Sequence, residues 1–181
     1  MTDIIIENIV ASSKIAEELD IEQLSKNIID SNYNPEEFNG LTVKFEDPKV
    51  AVLILSNGKV ICTGAKDIKD INTSLEKISK KLKDAGVILI KKQDVEIQNI
   101  IVSADLKKHL HLASIAKGLL LEKASYTPNQ FPGLIYKIQD SNCVVILFGS
   151  GKVVCTGANN LEEATKSVEM MKEKLSSLGV L

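Results

Sequence analysis

Three cysteines and two histidines are the residues of this sequence best suited to bind a metal or to act as nucleophiles. The cysteines, Cys62, Cys143 and Cys155, are an odd number without CxxC spacing, and each lies in an apolar run. We therefore predict buried free thiols in a reducing compartment. His109 and His111 alternate with leucines, and no Cys, Asp or Glu cluster stands at ligand spacing, so we expect solvent-facing or helix-capping roles. The sequence thus predicts no metal, no cofactor and no catalytic centre.

A glycine-lysine pair opens two nearly identical octets, "GKVICTGA" at 58–65 and "GKVVCTGA" at 151–158. Glycine and lysine also occur together in phosphate-binding loops, but the full GxxxxGK[ST] pattern is absent. The preceding residues, "SN" and "GS", are typical of hairpin turns, and Asn57-Gly58 is a strong hairpin signal. Both octets are therefore predicted to form β-strands that follow tight turns.

Charge and hydropathy limit the classes of function. The chain has 181 residues and a net charge of −2, and all 22 basic residues are lysine. This balance does not by itself indicate nucleic-acid binding, so any such contact must come from lysines on one face. No stretch approaches the roughly 18 apolar residues of a membrane span. The N-terminal "MTDIIIENIV" lacks the basic segment of a secretory signal, and we expect a cytoplasmic protein without a membrane partner.

The octets belong to a longer internal repeat. Residues 33–65 align without a gap to residues 126–158, and "IENIVASS" near the N-terminus matches "IQNIIVSA". We therefore predict a tandem duplication with halves 1–91 and 92–181. No Gly-, Ser- or Pro-rich linker separates them, so we expect one rigid body with a pseudo-twofold axis.

Each half has the same predicted order of elements. A β-strand opens it, Ile4–Ser12 or Val95–Ser103, and a short helix follows, which Asp20 caps in the first half. A meander of three strands then begins at Gly40 or Gly133 and ends with the octet.

A longer helix closes each half and ends at Gly86 or Gly179. Its apolar residues recur at helical spacing and predict one buried stripe per helix. The stripes are Ile68, Ile71, Leu75, Ile78 and Leu82 in the first half, and Leu161, Ala164, Val168, Met171 and Leu175 in the second.

The meander strands are apolar on both faces. In the first octet, alternation gives two opposed sets, which are Val60, Cys62 and Gly64 against Lys59, Ile61, Thr63 and Ala65. Two helices per half cover only one face of an antiparallel sheet. The other face is therefore predicted to be an apolar patch fringed by lysines, and such a patch usually binds a partner.

Four occupants of this patch are open at this point. The two sheets could pack face to face as a sandwich, the patch could form a homodimer, or it could close over a small apolar ligand. A sandwich would bury the fringing lysines without partners, which is costly. A polyanion with an apolar groove explains both the apolar field and its cationic fringe, and an opened DNA minor groove is such a surface.

The motifs "YxPxxFPGLIYK" and "VVILFGSGKVVCTGA" closely resemble the TATA-box-binding protein family, and the short N-terminus is similar to that of its archaeal members. The resemblance covers nearly the whole chain. It implies an α+β fold, in which a pseudo-twofold tandem repeat forms a saddle-shaped antiparallel sheet of about ten strands. The concave face is open and the helices lie on the convex face. The implied function is that of a general transcription initiation factor that binds and bends A/T-rich, TATA-type promoter DNA through its minor groove.

The resemblance also implies DNA-binding positions. Apolar wedges correspond to Phe38, Phe131 and Phe148, with Leu55 at the fourth wedge position and Pro132 beside Phe131. Groove-lining residues correspond to Asn8, Asn99, Thr63, Thr156, Val10, Ile101, Ile61, Val154, Leu53 and Ile146. Phosphate contacts correspond to Lys44, Lys137, Lys59, Lys152 and Lys66, of which Lys66 has Asn159 as its counterpart.

Protein partners follow from the same resemblance. Transcription factor B is expected to dock on the loop before Phe131, through Thr127, Asn129 and Gln130, and RNA polymerase is recruited indirectly. The expected location is the cytoplasm of an archaeal cell, with the nucleoid. Two alternatives stay open, which are a homodimer through the concave face without DNA and a non-catalytic scaffold whose apolar sheet binds a polypeptide.

Overall fold

The computed structural model describes residues 3–119 and 123–181. The chain forms two compact units, the N-unit (Asn8–Gln98) and the C-unit (Met1–Glu7 with Asn99–Leu181). The unit boundaries, at 7/8 and 98/99, differ from those of the predicted halves, 1–91 and 92–181. Residues 3–7 group with the second repeat, although they precede the first repeat in the sequence.

The first repeat contains five strands and two helices in its described residues. They are β1 (Ile5–Lys14), α1 (Ile21–Asn27), β2 (Ser31–Tyr33), β3 (Gly40–Glu46), β4 (Lys49–Leu55), β5 (Lys59–Ala65) and α2 (Ile68–Asp84). The strands lie antiparallel in the order β2-β3-β4-β5-β1. Helix α2 packs against β4 and β5, and α1 packs against β2 and β3. On β4 the buried residues Val50, Val52 and Ile54 alternate with half-buried ones, so the helices cover one face of the sheet.

The second repeat has the same order of elements. They are β6 (Val95–Asp105), α3 (Leu112–Gly118), β7 (Ala124–Ser125), β8 (Leu134–Lys137), β9 (Val144–Leu147), β10 (Lys152–Ala158) and α4 (Leu161–Ser177). The strands lie in the order β6-β10-β9-β8-β7, and α4 packs against β9 and β10. Within the described ranges, none of the helices is long and apolar enough to cross a membrane.

Helix ends follow local signals in the sequence. The Asp20 carboxylate accepts a hydrogen bond from the Gln23 amide (3.0 Å), which confirms the predicted cap of α1. Gly86 and Gly179 have φ angles of +86° and +70°, and they end α2 and α4 as predicted. The hairpin at Gly58 is also confirmed, because its amide donates to the Leu55 carbonyl across the turn (3.0 Å).

The predicted stripes of α2 and α4 are wrong at their first residues. Ile68 and Leu161 are 45% and 44% exposed, whereas Ile71 and Ala164 are fully buried. Ile68 and Leu161 are each the first residue of their helix. The buried stripe of each helix begins only one turn later, at Ile71 and Ala164. Helical spacing identifies the buried face of a helix but not how far the sheet extends beneath it.

Two short strands were not individually predicted. Strands β2 and β7 are three and two residues long and pair at the outer edge of β3 and β8, respectively. The opening strands are two residues longer than predicted at their C-terminal ends, reaching Lys14 and Asp105. Short polar edge strands have no alternating apolar pattern that could identify them.

We predict that Ile71→Ala lowers the free energy of unfolding by about 2–5 kcal/mol, because it leaves a cavity between α2 and the sheet. Ile68→Ala, one turn earlier in the same helix, should cost less than about 1 kcal/mol because the side chain is already exposed. Urea denaturation followed by circular dichroism measures both. Equal losses from the two substitutions would contradict the burial assigned to α2.

Candidate nucleic-acid interface

In the N-unit, the sheet face away from the helices is apolar and partly exposed. Leu53 on β4 lies opposite Ile61 on β5, and Ala51 lies opposite Thr63. Leu53 and Ile61 are half-buried, whereas Val52 and Cys62 on the helix-covered face are fully buried. The predicted separation of the two faces is therefore present along β4 and most of β5.

The C-unit repeats this arrangement with closely similar residues. Ile146 on β9 lies opposite Val154 on β10, and Val144 lies opposite Thr156. All four are half-buried. A sandwich would have removed these side chains from solvent, so the patch keeps apolar surface for an external partner.

A bulge at the end of β5 changes which residues reach the open face. Gly64 has a φ angle of +103°, and the pairing of β5 with β1 shifts there by one residue. Ala65 is therefore buried at 1% exposure and Gly64 is exposed, so the alternation predicted for these two residues is wrong. Gly157, with φ +92°, and the fully buried Ala158 form the same bulge in the C-unit.

Each bulge holds an asparagine in one orientation. The side-chain oxygen of Asn8 accepts a hydrogen bond from the Gly64 amide (2.7 Å), and its Nδ2 donates to Thr63 Oγ1 (3.3 Å). Since Thr63 Oγ1 accepts this bond, the hydroxyl proton is directed to another acceptor, and Asn8 keeps its second N–H. The result is a pair of donors at the edge of an apolar surface.

The C-unit has the same polar pair. Asn99 accepts from the Gly157 amide (2.8 Å) and donates to Thr156 Oγ1 (3.1 Å). Asn99 and Thr156 are half-buried, so the surrounding apolar side chains limit their contact with water. Both predicted asparagine–threonine pairs are thus brought together within their own unit.

The two exposed phenylalanines stand on loops with similar backbone bonding. The Phe38 amide donates to the Asn34 carbonyl (2.9 Å), and the Phe131 amide donates to the Thr127 carbonyl (3.0 Å). Phe38 and Phe131 are 47% and 37% exposed. Their rings are large apolar groups that remain available for contact with a partner.

Each of these two rings lies close against the backbone of a glycine. A Cβ at Gly40 would lie 2.3 Å from Phe38 Cε1, and a Cβ at Gly133 would lie 2.6 Å from Phe131 Cε1. A side chain at either glycine would displace the phenylalanine ring, so glycine allows the ring to lie over the start of the meander.

The other two positions predicted to be wedges differ between the units. Phe148 is half-buried, and its ring meets that of Phe131 edge to face, with centroids 6.0 Å apart. In the N-unit the corresponding Leu55 is also half-buried and pairs with Gly40. Leucine has no aromatic face, so this pair lacks the ring-to-ring contact of the C-unit.

The lysines that were predicted to fringe the open faces differ in exposure. Lys44, Lys66, Lys137 and Lys152 are exposed, and Lys59 is half-buried. The Nζ of Lys152 lies 3.9 Å from a carboxylate oxygen of Glu7. At the position equivalent to Lys66, the Asn159 amide donates to Glu163 (3.1 Å), as the Lys66 amide donates to Asp70 (3.4 Å), so the units differ there by the cationic side chain of Lys66.

Two polar residues directly precede the paired asparagines, Glu7 before Asn8 and Gln98 before Asn99, and neither was predicted to be a site residue. Glu7 accepts a hydrogen bond from the Ser103 hydroxyl, and Gln98 Nε2 donates to Ser12 Oγ (2.9 Å). The repeat carries the signal for this pair, because "IENI" in the first half aligns with "IQNI" in the second.

The loop residues expected to bind a protein partner are at the surface. Thr127, Asn129 and Gln130 are all exposed, as are Glu36 and Glu37 in the equivalent loop of the N-unit. The two loops therefore present surfaces of different charge, neutral in the C-unit and acidic in the N-unit.

The thiols and imidazoles do not form a reactive centre in the described residues. All three cysteines are free and buried, as predicted. Burial raises the pKa of the Cys62 thiol to about 11, and burial with a smaller effect of Cys143 raises the pKa of Cys155 to about 12. His109 and His111 are exposed, as predicted, and their rings meet edge to face at 5.7 Å.

Comparisons with known proteins agree with this geometry. The family model described as "Transcription factor TFIID (or TATA-binding protein, TBP)" matches residues 3–85 and 94–178. The chain is 45% identical to the TATA-box-binding protein of Archaeoglobus fulgidus, over 97% of this chain and 96% of that relative. It is also 45% identical to the TATA-box-binding protein of Thermoplasma volcanium, over 98% and 97% of the two chains.

A solved structure confirms the fold class. Methanococcus jannaschii TBP is similar to this chain with a TM-score of 0.87 and 40% identity, over 97% of this chain and 99% of that one. The predicted α+β class, the tandem repeat and the antiparallel sheet are therefore confirmed.

We predict that Cys62 and Cys155 react with a disulfide reagent at pH 8 at least about tenfold more slowly in the folded protein than in urea. Their raised pKa values keep both thiols neutral at this pH, so thiolate should form only as the pH rises towards 11. Absorbance of the released thiolate measures the rate. Reaction at the unfolded rate would contradict the burial of these cysteines.

Proposed function

Since this chain belongs to the TATA-binding protein family, we propose that it is a general transcription initiation factor that binds TATA-type promoter DNA in the minor groove. The observation that carries the proposal is the partly exposed apolar face of each unit, on which an asparagine and a threonine are held as donors. Membership of a family of transcription factors also confirms that the chain is not an enzyme.

The donors and the apolar surface together favour A·T pairs. In the minor groove, A·T and T·A pairs present only acceptor atoms, whereas a G·C pair adds the guanine amino donor. The N–H groups of Asn8 and Asn99 and the hydroxyls of the paired threonines can donate to those acceptors. A guanine amino group would face apolar side chains such as Ile61 and Val154 and lose its hydrogen bond to water.

Apolar wedges would open the groove. We propose that Phe38 and Leu55 in the N-unit, and Phe131 and Phe148 in the C-unit, enter base steps and bend the duplex. Flexible TA steps lower the cost of this unstacking, so bending adds to the preference for TATA-type sequences. The exposure of Phe38 and Phe131 supports their role as the leading edges of each pair.

The remaining contacts are proposed from their position at the open faces. Groove-lining residues are Val10, Leu53, Ile61, Ile101, Ile146 and Val154, with Pro132 beside the second wedge loop. Phosphate contacts are Lys44, Lys59, Lys66, Lys137 and Lys152. Lysines provide point charges rather than bidentate forks, so they supply attraction with little sequence information.

The proposal also includes protein partners. We propose that transcription factor B docks on the loop containing Thr127, Asn129 and Gln130 and thereby recruits RNA polymerase. The exposure of these three side chains supports the site, and their uncharged character implies hydrogen bonds rather than ion pairs. Without DNA, the apolar faces would favour a homodimer, and the protein would reside with the nucleoid in the cytoplasm.

We predict that the protein binds a TATA-type duplex at least about tenfold more tightly than a G/C-rich duplex of equal length. The reason is the mismatch between the guanine amino group and the apolar face. A gel-shift titration at constant salt measures both affinities. Equal or absent binding would contradict the proposal and would favour a protein-interaction scaffold.

We predict that Phe131→Ala and Phe148→Ala together remove about half or more of the DNA bend, because they delete both wedges of the C-unit. Energy transfer between dyes at the ends of a TATA-type duplex measures the bend at saturating protein. Ile88→Ala, at a residue that is 90% exposed, is the control for loss of exposed apolar surface outside the proposed wedges. Unchanged bending in the double variant, with circular dichroism showing an intact fold, would show that the wedge assignment is wrong.

A further inference from the structure

A carboxylate stands among the residues proposed to contact DNA. Glu7 directly precedes Asn8 on β1, and its side chain is only 35% exposed. Its carboxylate accepts from the Ser103 hydroxyl and lies 3.9 Å from the Nζ of Lys152. An acidic group in this place is unexpected on a surface that must accept a polyanion.

The second repeat has a neutral residue at the equivalent position. Gln98 directly precedes Asn99, and its amide donates to the Ser12 hydroxyl (2.9 Å) and more weakly to Glu96 (3.4 Å). Ser12 is the repeat equivalent of Ser103 in the alignment, so the polar partner is retained while the charge is absent. Glutamine therefore suffices to bond this serine, and a carboxylate is not required for the fold.

The lysines at the two turns differ in the same way. Lys152 has Glu7 within ion-pair distance, and it is 54% exposed. Among the residues that the structure describes, its repeat equivalent Lys59 forms no ion pair with a carboxylate. A pair as exposed as Glu7 and Lys152 adds little to the stability of the fold, so its main effect is on the charge that the protein presents.

We propose that Glu7 weakens DNA binding independently of base sequence, by compensating the charge of Lys152 and by repelling nearby phosphates. This inference rests on the proposed function. A lysine that is already paired releases fewer counterions when it meets DNA, so the protein gains less affinity from the phosphate backbone. Glu7 therefore lowers the affinity for TATA-type and other duplexes by the same factor, and the apolar face supplies a larger share of the remaining binding free energy.

The test is Glu7→Gln, which keeps the size of the side chain and the acceptor for Ser103. We expect affinity for a TATA-type and a G/C-rich duplex to rise by the same factor, about threefold or more at low salt. Between about 50 and 200 mM salt, the slope of log K against log salt should become steeper by up to about 0.9. Fluorescence anisotropy with each labelled duplex measures both quantities.

Two further variants test whether Glu7 acts through Lys152 and whether a carboxylate at the equivalent position has the same effect on affinity. Lys152→Ala should reduce affinity less in the wild-type chain than in the Glu7→Gln background, because Glu7 already compensates this lysine in the wild type. Gln98→Glu is the matched control at the equivalent position of the first unit. It should lower affinity for both duplexes and flatten the salt slope.

The outcomes separate this inference from the proposed function. If the wild type prefers the TATA-type duplex but Glu7→Gln changes neither affinity nor slope, the inference is overturned and the function stands. A gain limited to the TATA-type duplex would also overturn it, because Glu7 would then act on base recognition. If the wild type has no preference between the duplexes, the proposed function fails, and this inference fails with it.

Discussion

Each unit carries apolar side chains on both faces of its strands but has helices on only one face. Leu53 and Ile61, like Ile146 and Val154, stay partly exposed because the described residues place no helix over them. Exposed apolar surface disfavours the free state by about 25 cal/mol per Å², and a partner that covers the surface recovers this free energy. In each unit, the proposed wedges, the asparagine–threonine donors and the lysines proposed to contact phosphates are assigned to this uncovered surface.

The polar groups on this surface are held in place before any partner arrives. The bulges at Gly64 and Gly157 aim a backbone amide at Asn8 and Asn99, respectively, and each asparagine then bonds a threonine. Donors held in this way lose little conformational entropy on binding, which improves both affinity and selectivity. The duplication supplies the same asparagine–threonine arrangement twice. Leu55 and Glu7 make the two repeats differ, at a proposed wedge position and at a charge, respectively.

Much of this arrangement is predictable from local sequence. The Asn57-Gly58 turn, the Asp20 cap and the apolar alternation of the octets each report a preference of the backbone or of burial. The bulge at Gly64 was not predicted, because a residue in the left-handed backbone conformation interrupts the alternation of a strand without changing its apolar composition. A glycine within a strand can indicate such a bulge. The exposure of Ile68 depends on how far the sheet extends beneath the helix, and the sequence of the helix does not predict that extent. The role inferred for Glu7 needs Ser103 and Lys152, which are distant in sequence and meet only in the folded chain.

The central claim is that the apolar faces recognise the minor groove of DNA, and a base-analogue experiment tests it most directly. Inosine lacks the guanine amino group, so an I·C pair resembles A·T in the minor groove while its major groove resembles G·C. The measurement is the affinity of the protein for three duplexes that differ only in carrying A·T, I·C or G·C pairs at the site. The account predicts that the I·C duplex binds nearly as tightly as the A·T duplex and that the G·C duplex binds much more weakly. An I·C duplex that binds as weakly as the G·C duplex would contradict it.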